Sequence, residues 1–350
     1  TKAIPLILEG KDVIGIAQTG TGKTLAFGLP MLQRLAMHKG MGLVLVPTRE
    51  LATQVDEKLM AIGRGIGLRT AVLVGGASMS KQLLKLREKP QVIIATPGRL
   101  NDHLRQKTVD LSLVTILVLD EADHMLDMGF EPQIRGILAV IPRTRQTLLF
   151  SATMPPKIQK LAESYMRTPV TAQAATSGTV VAKISEEIYF ISKEEKIRLL
   201  DKILSDHGGS ILVFSRTKHG AKRLVKHVRE MGHSAVDIHS NKSLPQRKAA
   251  LEGFKKRIYR VLVATDIAAR GIDVTDIELV VNYDLPDSAE DYVHRIGRTG
   301  RAGKEGKAIS FAEHNQRYDV KNIERLTRKL LPERRKPELP PARASNIQTK

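Results

Sequence analysis

The feature that most constrains this chain is a rhythm that occurs twice. Short, β-branched, mostly apolar runs alternate with longer amphipathic stretches, first over residues 13–150 and again over 187–311. In the first half the spacing predicts strands at 13–17, 43–46, 71–74, 92–95, 116–119 and 147–150, with helical patterns between them such as 23–37 and 49–63. In the second half strands are expected at 187–191, 211–214, 235–238, 261–264, 279–282 and 308–311, closed by a basic helix over 315–331. Strands that are apolar throughout, rather than alternating, belong in parallel sheets covered by helices on both faces. Helices between such strands imply right-handed βαβ units. At 350 residues the chain exceeds what one core supports, so two tandem α/β domains are expected.

The Thr-, Ala-, Gly- and Ser-rich stretch 168–183 reads as the linker, centred on 171–183, which leaves 1–170 and 184–331 as the domains. Pro332, Pro337, Pro340 and Pro341 make 332–350 a basic tail, extended or disordered.

Composition narrows the function. There is no cysteine, which excludes a disulfide scaffold, Cys-ligated metal and thiol catalysis, and fits a reducing cytoplasm. No apolar run reaches membrane-spanning length and no leader precedes the first core-like segment, so neither membrane nor secretion is expected. Lys plus Arg number 56 against 37 Asp plus Glu, a formal charge of +19 that attracts polyanions, nucleic acid first among them. Aromatics are only 4% and Trp is absent, so contacts to phosphate and sugar are expected rather than base stacking.

Two motifs carry chemistry. The segment AQTGTGKT (17–24) lies between a predicted strand and a predicted helix. Thr19, Gly20, Thr21 and Gly22 would wrap backbone N–H groups around phosphates, Lys23 would neutralise their charge, and the Thr24 hydroxyl would ligate Mg²⁺. Ala17 stands where the strict phosphate-loop pattern wants Gly, so a ligand-free glycine turn stays open for this segment taken alone. The segment DEAD (120–123) ends the run VTILVL, putting carboxylates at the strand edge where α/β sheets bind ligands. Asp120 would hold Mg²⁺, and Glu121 would position or deprotonate the attacking water. Alone, such a cluster also reads as an exposed turn or a helix cap; the phosphate loop beside it favours catalysis.

With PTRELA (47–52), TPGRL (96–100), SAT (151–153), LVFSRT (212–217), ATDIAARGID (264–273) and YVHRIGRTGRAG (292–303), these segments resemble, in order, the motifs of a DEAD-box ATP-dependent RNA helicase. The resemblance spans about residues 1–315; MLDMGF after DEAD, and YDLP, resemble the bacterial RhlE-type branch. It implies two RecA-like domains, ATP and Mg²⁺ as cofactors, RNA as partner, and local, non-processive unwinding of short duplexes. It further implies RNA contacts at Arg49, Gly75–Gly76, Thr96 and Arg99 in the first domain and at Arg247, Thr265 and Gly271 in the second. Ser151, Thr153, Asp123 and His294 would couple hydrolysis to strand separation. Asp273 would bind the ribose, and Arg298 and Arg301, three apart on one helical turn, would act as arginine fingers with Arg295 completing the motif. Partners in ribosome assembly or RNA decay are implied by the family alone.

Three departures stand against the family pattern. The chain begins at Thr1-Lys-Ala-Ile-Pro5, just after the position of the adenine-reading Gln, so a chain truncated after that Gln is expected. Ser240 stands for a usual Gly, and Leu244 for a usual Gln beside Arg247, from which weaker RNA affinity is expected. An ATP-gated RNA clamp that separates no strands, and a fragment impaired in nucleotide binding, are the alternative readings.

Overall fold

The computed structural model describes residues 2–17, 22–173, 184–269, 274, 277–300 and 305–341, the side chains of Leu244 and Ile267 excepted. The chain divides into two compact units, Thr1–Thr179 and Val180–Lys350.

The first unit holds a seven-stranded sheet: β1 (Val13–Ile16), β2 (Met41–Leu45), β3 (Thr70–Leu73), β4 (Val92–Ala95), β5 (Val114–Asp120), β6 (Gln146–Ser151) and β7 (Val170–Gln173), in the order β3-β4-β2-β5-β6-β1-β7. Every pairing in it is parallel. Leu43, Leu45, Leu117 and Leu119 enter one apolar cluster with Ile134, Ile137 and Ile158 from helices. Val44 and Val118, one position along, are equally buried toward the opposite face. That alternation is the period of two of a strand with helices on both sides.

The second unit holds β8 (Ile184–Phe190), β9 (Ile211–Phe214), β10 (Ala235–Ile238), β11 (Val261–Ala264), β12 (Leu279–Asn282) and β13 (Gly306–Ala312), ordered β10-β11-β9-β12-β13-β8 and again parallel throughout. Leu212 and Phe214 point into one cluster, and Ile211 and Val213 into the other.

The structure corrects three expectations. The stretch read as linker begins too early, because Val170–Gln173 pairs with Val13–Ile16 as an edge strand; residues 174–183 lie outside the described residues. A Thr- and Ala-rich edge strand carries too little apolar signal to show in the sequence. The closing helix is shorter than 315–331: a 3-10 turn at His314–Gln316 leads into a helix at Arg317–Thr327, which stops at Arg328 with φ of 53°. That left-handed residue ends the helix and turns the chain so that Leu331 enters the core.

The tail, expected to be extended or disordered, is bound to the second unit as far as Pro340. Pro332 O accepts from Ile188 N at 3.0 Å and Arg334 N donates to Ile188 O at 2.8 Å, satisfying the otherwise free edge of β8. Arg334 pairs with Glu187 and Lys336 with Glu195, while Arg198 donates to Pro340 O at 2.6 Å. Prolines suit such a strap because they need no backbone donor on the outer side. Ending the chain at Leu331 is therefore expected to lower second-unit stability by about 2 kcal/mol, roughly two backbone hydrogen bonds. It would also bare a sheet edge that promotes self-association. Calorimetry and sedimentation velocity of the shortened chain check both; an unchanged melting transition would contradict the strap.

Candidate nucleotide and RNA sites

In the first unit the chemistry-bearing segments all follow the C-terminal ends of strands, where parallel α/β sheets bind ligands. The sheet order sorts them into two groups. The loops after β1, β5 and β6 carry the phosphate-loop, DEAD and SAT segments, and the loops after β2, β3 and β4 carry Arg49, Gly75–Gly76, Thr96 and Arg99.

Gly22 caps the helix Lys23–Met37 with φ of 84°, a left-handed conformation natural to glycine, and no Cβ would meet a neighbour there. The helix thus presents its N-terminal N–H groups at the end of β1. Lys23 is buried; among the described residues its Nζ meets no hydrogen-bond partner, and it stands 3.7 Å from Asp120 Oδ1. Thr24 is buried beside it. Burial, opposed by Lys23 and reinforced by Glu121, pushes the Asp120 carboxyl up to about 6. A buried ammonium paired with a carboxylate, a helix N-terminus and a hydroxyl form a set suited to the phosphates of a nucleoside triphosphate and a hard divalent cation. Thr19, Gly20 and Thr21 lie outside the described residues.

Glu121 has φ of 54° and ψ of 51°, a left-handed backbone unusual for a residue with a Cβ. Its N–H donates to Asp120 Oδ1 at 3.0 Å and its Oε2 lies 3.1 Å from His124 Nδ1. The turn separates the two acidic side chains after one strand. Asp123 faces the SAT segment: its Oδ2 accepts from Ala152 N at 3.0 Å, Thr153 N at 2.9 Å and Thr153 Oγ1 at 3.0 Å, while its N–H donates to Ser151 Oγ. Burial opposes the charge, but His124 and the Thr153 and Ser151 hydrogen bonds outweigh it and hold the Asp123 carboxyl below the ordinary range. The structure thus joins DEAD to SAT directly, through Asp123, Ser151 and Thr153.

On the other half of this edge, Thr48 caps the helix Arg49–Gly63 by accepting from Leu51 N. Gly76 has φ of 72°, and a Cβ on it would collide with the Arg49 guanidinium. Arg99 donates to Ala77 O at 3.3 Å, and Thr96 stands just before the helix Pro97–Arg105. Arg49, Gly75–Gly76 and Arg99 therefore share one loop surface, with Thr96 at its border. Buried Gln82, which sequence reasoning missed, holds that loop: its Nε2 donates to Val74 O at 3.2 Å and Ala77 O at 3.3 Å, and its Oε1 meets His103 Nε2. A polar residue on the inward face of the amphipathic helix Met79–Arg87 was the available signal.

In the second unit, Arg247 follows β10 on the helix Leu244–Lys255, which a Ser243–Gln246 capping box starts; Thr265 follows β11 and accepts backbone bonds from Ala268 and Ala269. The helix Ala289–Ile296 carries His294 and ends before Arg298, which lies in a turn and donates from Nε to His294 O at 3.3 Å. Gly297 closes the helix, so Arg298 lies beyond it rather than on the helical turn expected for this segment. Arg301, Gly271 and Asp273 lie outside the described residues. Arg295 is the buried tie of this unit. Nε and Nη2 form a fork on Asp266 at 2.5 and 2.7 Å, Nη1 reaches Asp284 O at 2.6 Å and Asn282 Oδ1 at 3.2 Å, and the guanidinium lies 4.9 Å over the Phe214 ring. It locks the HRIGR segment to the start of ATDIA.

A nucleotide-type phosphate loop beside paired carboxylates, in the first of two tandem RecA-like domains, defines an ATPase of the two-domain class. Residues 1–161 match the DEAD/DEAH box helicase family, and residues 195–303 match the helicase conserved C-terminal domain. The chain belongs to the DEAD-box family of ATP-dependent RNA helicases. It is 44% identical over 338 residues to probable ATP-dependent RNA helicase DDX47 of Homo sapiens, covering 95% of this chain and 74% of that protein. It is 42% identical over 331 residues to DEAD-box ATP-dependent RNA helicase CshA of Bacillus cereus, covering 94% of this chain and 63% of the relative. Among solved structures, S. cerevisiae Dbp5 bound to RNA and ADP BeF3 superposes with a TM-score of 0.84 at 31% identity, covering 95% of this chain and 88% of that one.

Proposed function

We propose that this enzyme hydrolyses ATP in response to RNA and uses the cycle to separate short duplexes locally, without processive translocation, and to remodel RNA–protein complexes. The observation that carries the coupling is the Asp123 carboxylate, which binds Ala152 and Thr153 from the DEAD turn. A change of charge at Asp120 and Glu121 is thereby transmitted to the SAT segment.

In this reading Lys23 and the Gly22 helix end bind the phosphates, with Thr19, Gly20 and Thr21 completing the loop. Thr24 and Asp120 hold Mg²⁺, which supplies charge neutralisation on the phosphates. Glu121 accepts the proton of the attacking water, Arg298 and Arg301 stabilise charge on the phosphates, and Asp273 holds the ribose. Arg49, Gly76, Thr96, Arg99, Arg247, Thr265 and Gly271 contact the sugar–phosphate backbone, where 2′-OH groups favour RNA. Ser151, Thr153, Asp123 and His294 couple the two events. The similarity to the RNA helicases DDX47 and CshA, and to Dbp5 bound to RNA, supports RNA as the partner. The RhlE-type placement rests on MLDMGF and YDLP alone, and partners in ribosome assembly or RNA decay rest on the family. Among the described residues no helix is long and apolar enough to cross a membrane. A cysteine-free chain needs no oxidising compartment to fold, which supports our placing it in the cytoplasm.

Strand release tests the proposal. With ATP, RNA duplexes of about one helical turn are expected to separate, and duplexes several turns long to stay paired. ATP-dependent RNA retention with no strand released would establish the clamp instead.

Two further outcomes are expected. Gly76→Ala forces a Cβ into a left-handed position and onto the Arg49 guanidinium, so RNA affinity is expected to fall about tenfold, the scale of the 1–2 kcal/mol backbone penalty. ATP affinity stays unchanged; fluorescence titration of labelled RNA and of a nucleotide analogue separates the two. The raised Asp120 pKa gives a sign for pH: its carboxylate is ionised above about 6 and protonated below, so Mg²⁺ affinity is expected to drop about tenfold per unit below pH 6. Metal titration between pH 5 and 8 reads this directly, and Asp120→Asn should flatten the profile.

A further inference from the structure

At the opposite edge of the first sheet, where β1, β5 and β6 begin, lies a second cleft of about 460 Å³. Lys11, Arg34, Arg145 and Arg167 line it with Thr115 and Thr144. The acid among them, Asp12, is already engaged: Oδ1 accepts from Thr147 N and Oδ2 from Arg167 N, each at 2.7 Å. Asp12 therefore shapes the cleft floor as much as it balances charge.

Two guanidiniums are held from behind by backbone carbonyls. Arg34 donates to Leu8 O at 3.0 Å, and Arg145 donates to Pro142 O at 2.8 Å and to Tyr165 O at 3.4 Å. In both, Nε is buried and meets no acceptor among the described residues. A charged donor stripped of water and left without an acceptor is costly unless something supplies one. Burial, relieved by Asp12 and aggravated by Arg167 and Arg143, holds the Arg145 guanidinium below its usual range. Arg145 is only 6% exposed, so whatever reaches it must be thin and rich in oxygen.

We propose that this cleft binds a small anion carrying two or more phosphate groups, at a site separate from the ATP-binding loop. Phosphate oxygens would accept from the guanidiniums, and the Thr115 and Thr144 hydroxyls would fix orientation without selecting a base. A short chain of phosphates fits a cleft of about 460 Å³; a nucleic-acid duplex does not.

The test titrates inorganic tripolyphosphate into the full chain carrying Lys23→Ala, which weakens the phosphate loop, and follows calorimetric heat and backbone amide shifts. Saturable binding is expected, with shifts at Lys11, Thr115 and Thr144 and a melting temperature that rises with ligand concentration. Adding Arg34→Gln and Arg167→Gln is expected to weaken binding at least tenfold. Because Arg34 also holds Leu8 O, Arg167→Gln, which gives up only an exposed contact to Arg143 O, serves as a second variant, expected to weaken binding at least threefold in a folded chain. The proposal fails if no saturable binding is seen, if the shifts are confined to residues 22–24 and 120–123, or if Arg167→Gln leaves affinity unchanged. Equal affinity for inorganic monophosphate would also overturn it.

Discussion

Replacing Glu121 by Gln is expected to reduce RNA-stimulated ATP hydrolysis by at least 10²-fold while ATP and RNA still bind. The side chain stays nearly isosteric and keeps an oxygen for the 3.1 Å contact to His124 Nδ1. What it loses is the ability to take a proton, and a positioned general base contributes roughly 10²–10⁴ in rate. The left-handed backbone at Glu121 sharpens the expectation. A residue with a Cβ held at φ of 54° is maintained by its surroundings, and such strain clusters at functional sites. Phosphate release with and without single-stranded RNA, beside nucleotide binding by fluorescence, separates chemistry from binding. Hydrolysis within tenfold of the parent chain would remove Glu121 from the role of base. Loss of ATP binding together with activity would place it among the phosphate-holding groups.

The second large effect is on stability. Arg295→Leu removes a buried guanidinium that forks onto Asp266 and bonds Asn282 and Asp284 O. Deleting one partner of a buried pair costs about 3–5 kcal/mol because the other partners are stranded. Asp266 keeps a quarter of its side chain exposed and can rehydrate, so the lower end, about 3 kcal/mol, is expected for the second unit. Chemical denaturation of the chain, read by a probe in the second unit, measures it. Arg295→Lys should recover less than half, since an ammonium cannot fork onto a carboxylate or lie over Phe214 in the same way. A loss below 1 kcal/mol would show that Arg295 acts on ligand charge rather than on the fold.

Arg295 and its neighbours also show where sequence reading runs out. The alternation of apolar runs located twelve of the thirteen strands now described, because a strand buried on both faces has no choice but to be apolar along its length. The missing one, Val170–Gln173, is an edge strand half open to solvent, where the pattern weakens. Pro332–Pro341 read as loose because composition reports what a segment cannot build by itself. It does not report that a free edge at Ile188 and a guanidinium at Arg198 await it.

The motifs were legible for a related reason. Phosphate and proton chemistry restrict residue type at a few adjacent positions, so the phosphate loop and DEAD stand out in one dimension. The sequence alone thus determined two parallel α/β domains, and with the family resemblance it named the residues expected to meet ATP and RNA. Only the tertiary structure decided the pairing of Asp123 with Thr153, the support of the Gly76 loop by Gln82, the fork of Arg295 on Asp266 and the cleft around Arg145. The Asp123–Thr153 and Arg295–Asp266 contacts join residues 30 and 29 positions apart, and a hydrogen bond across that distance leaves no periodicity for the chain itself to display.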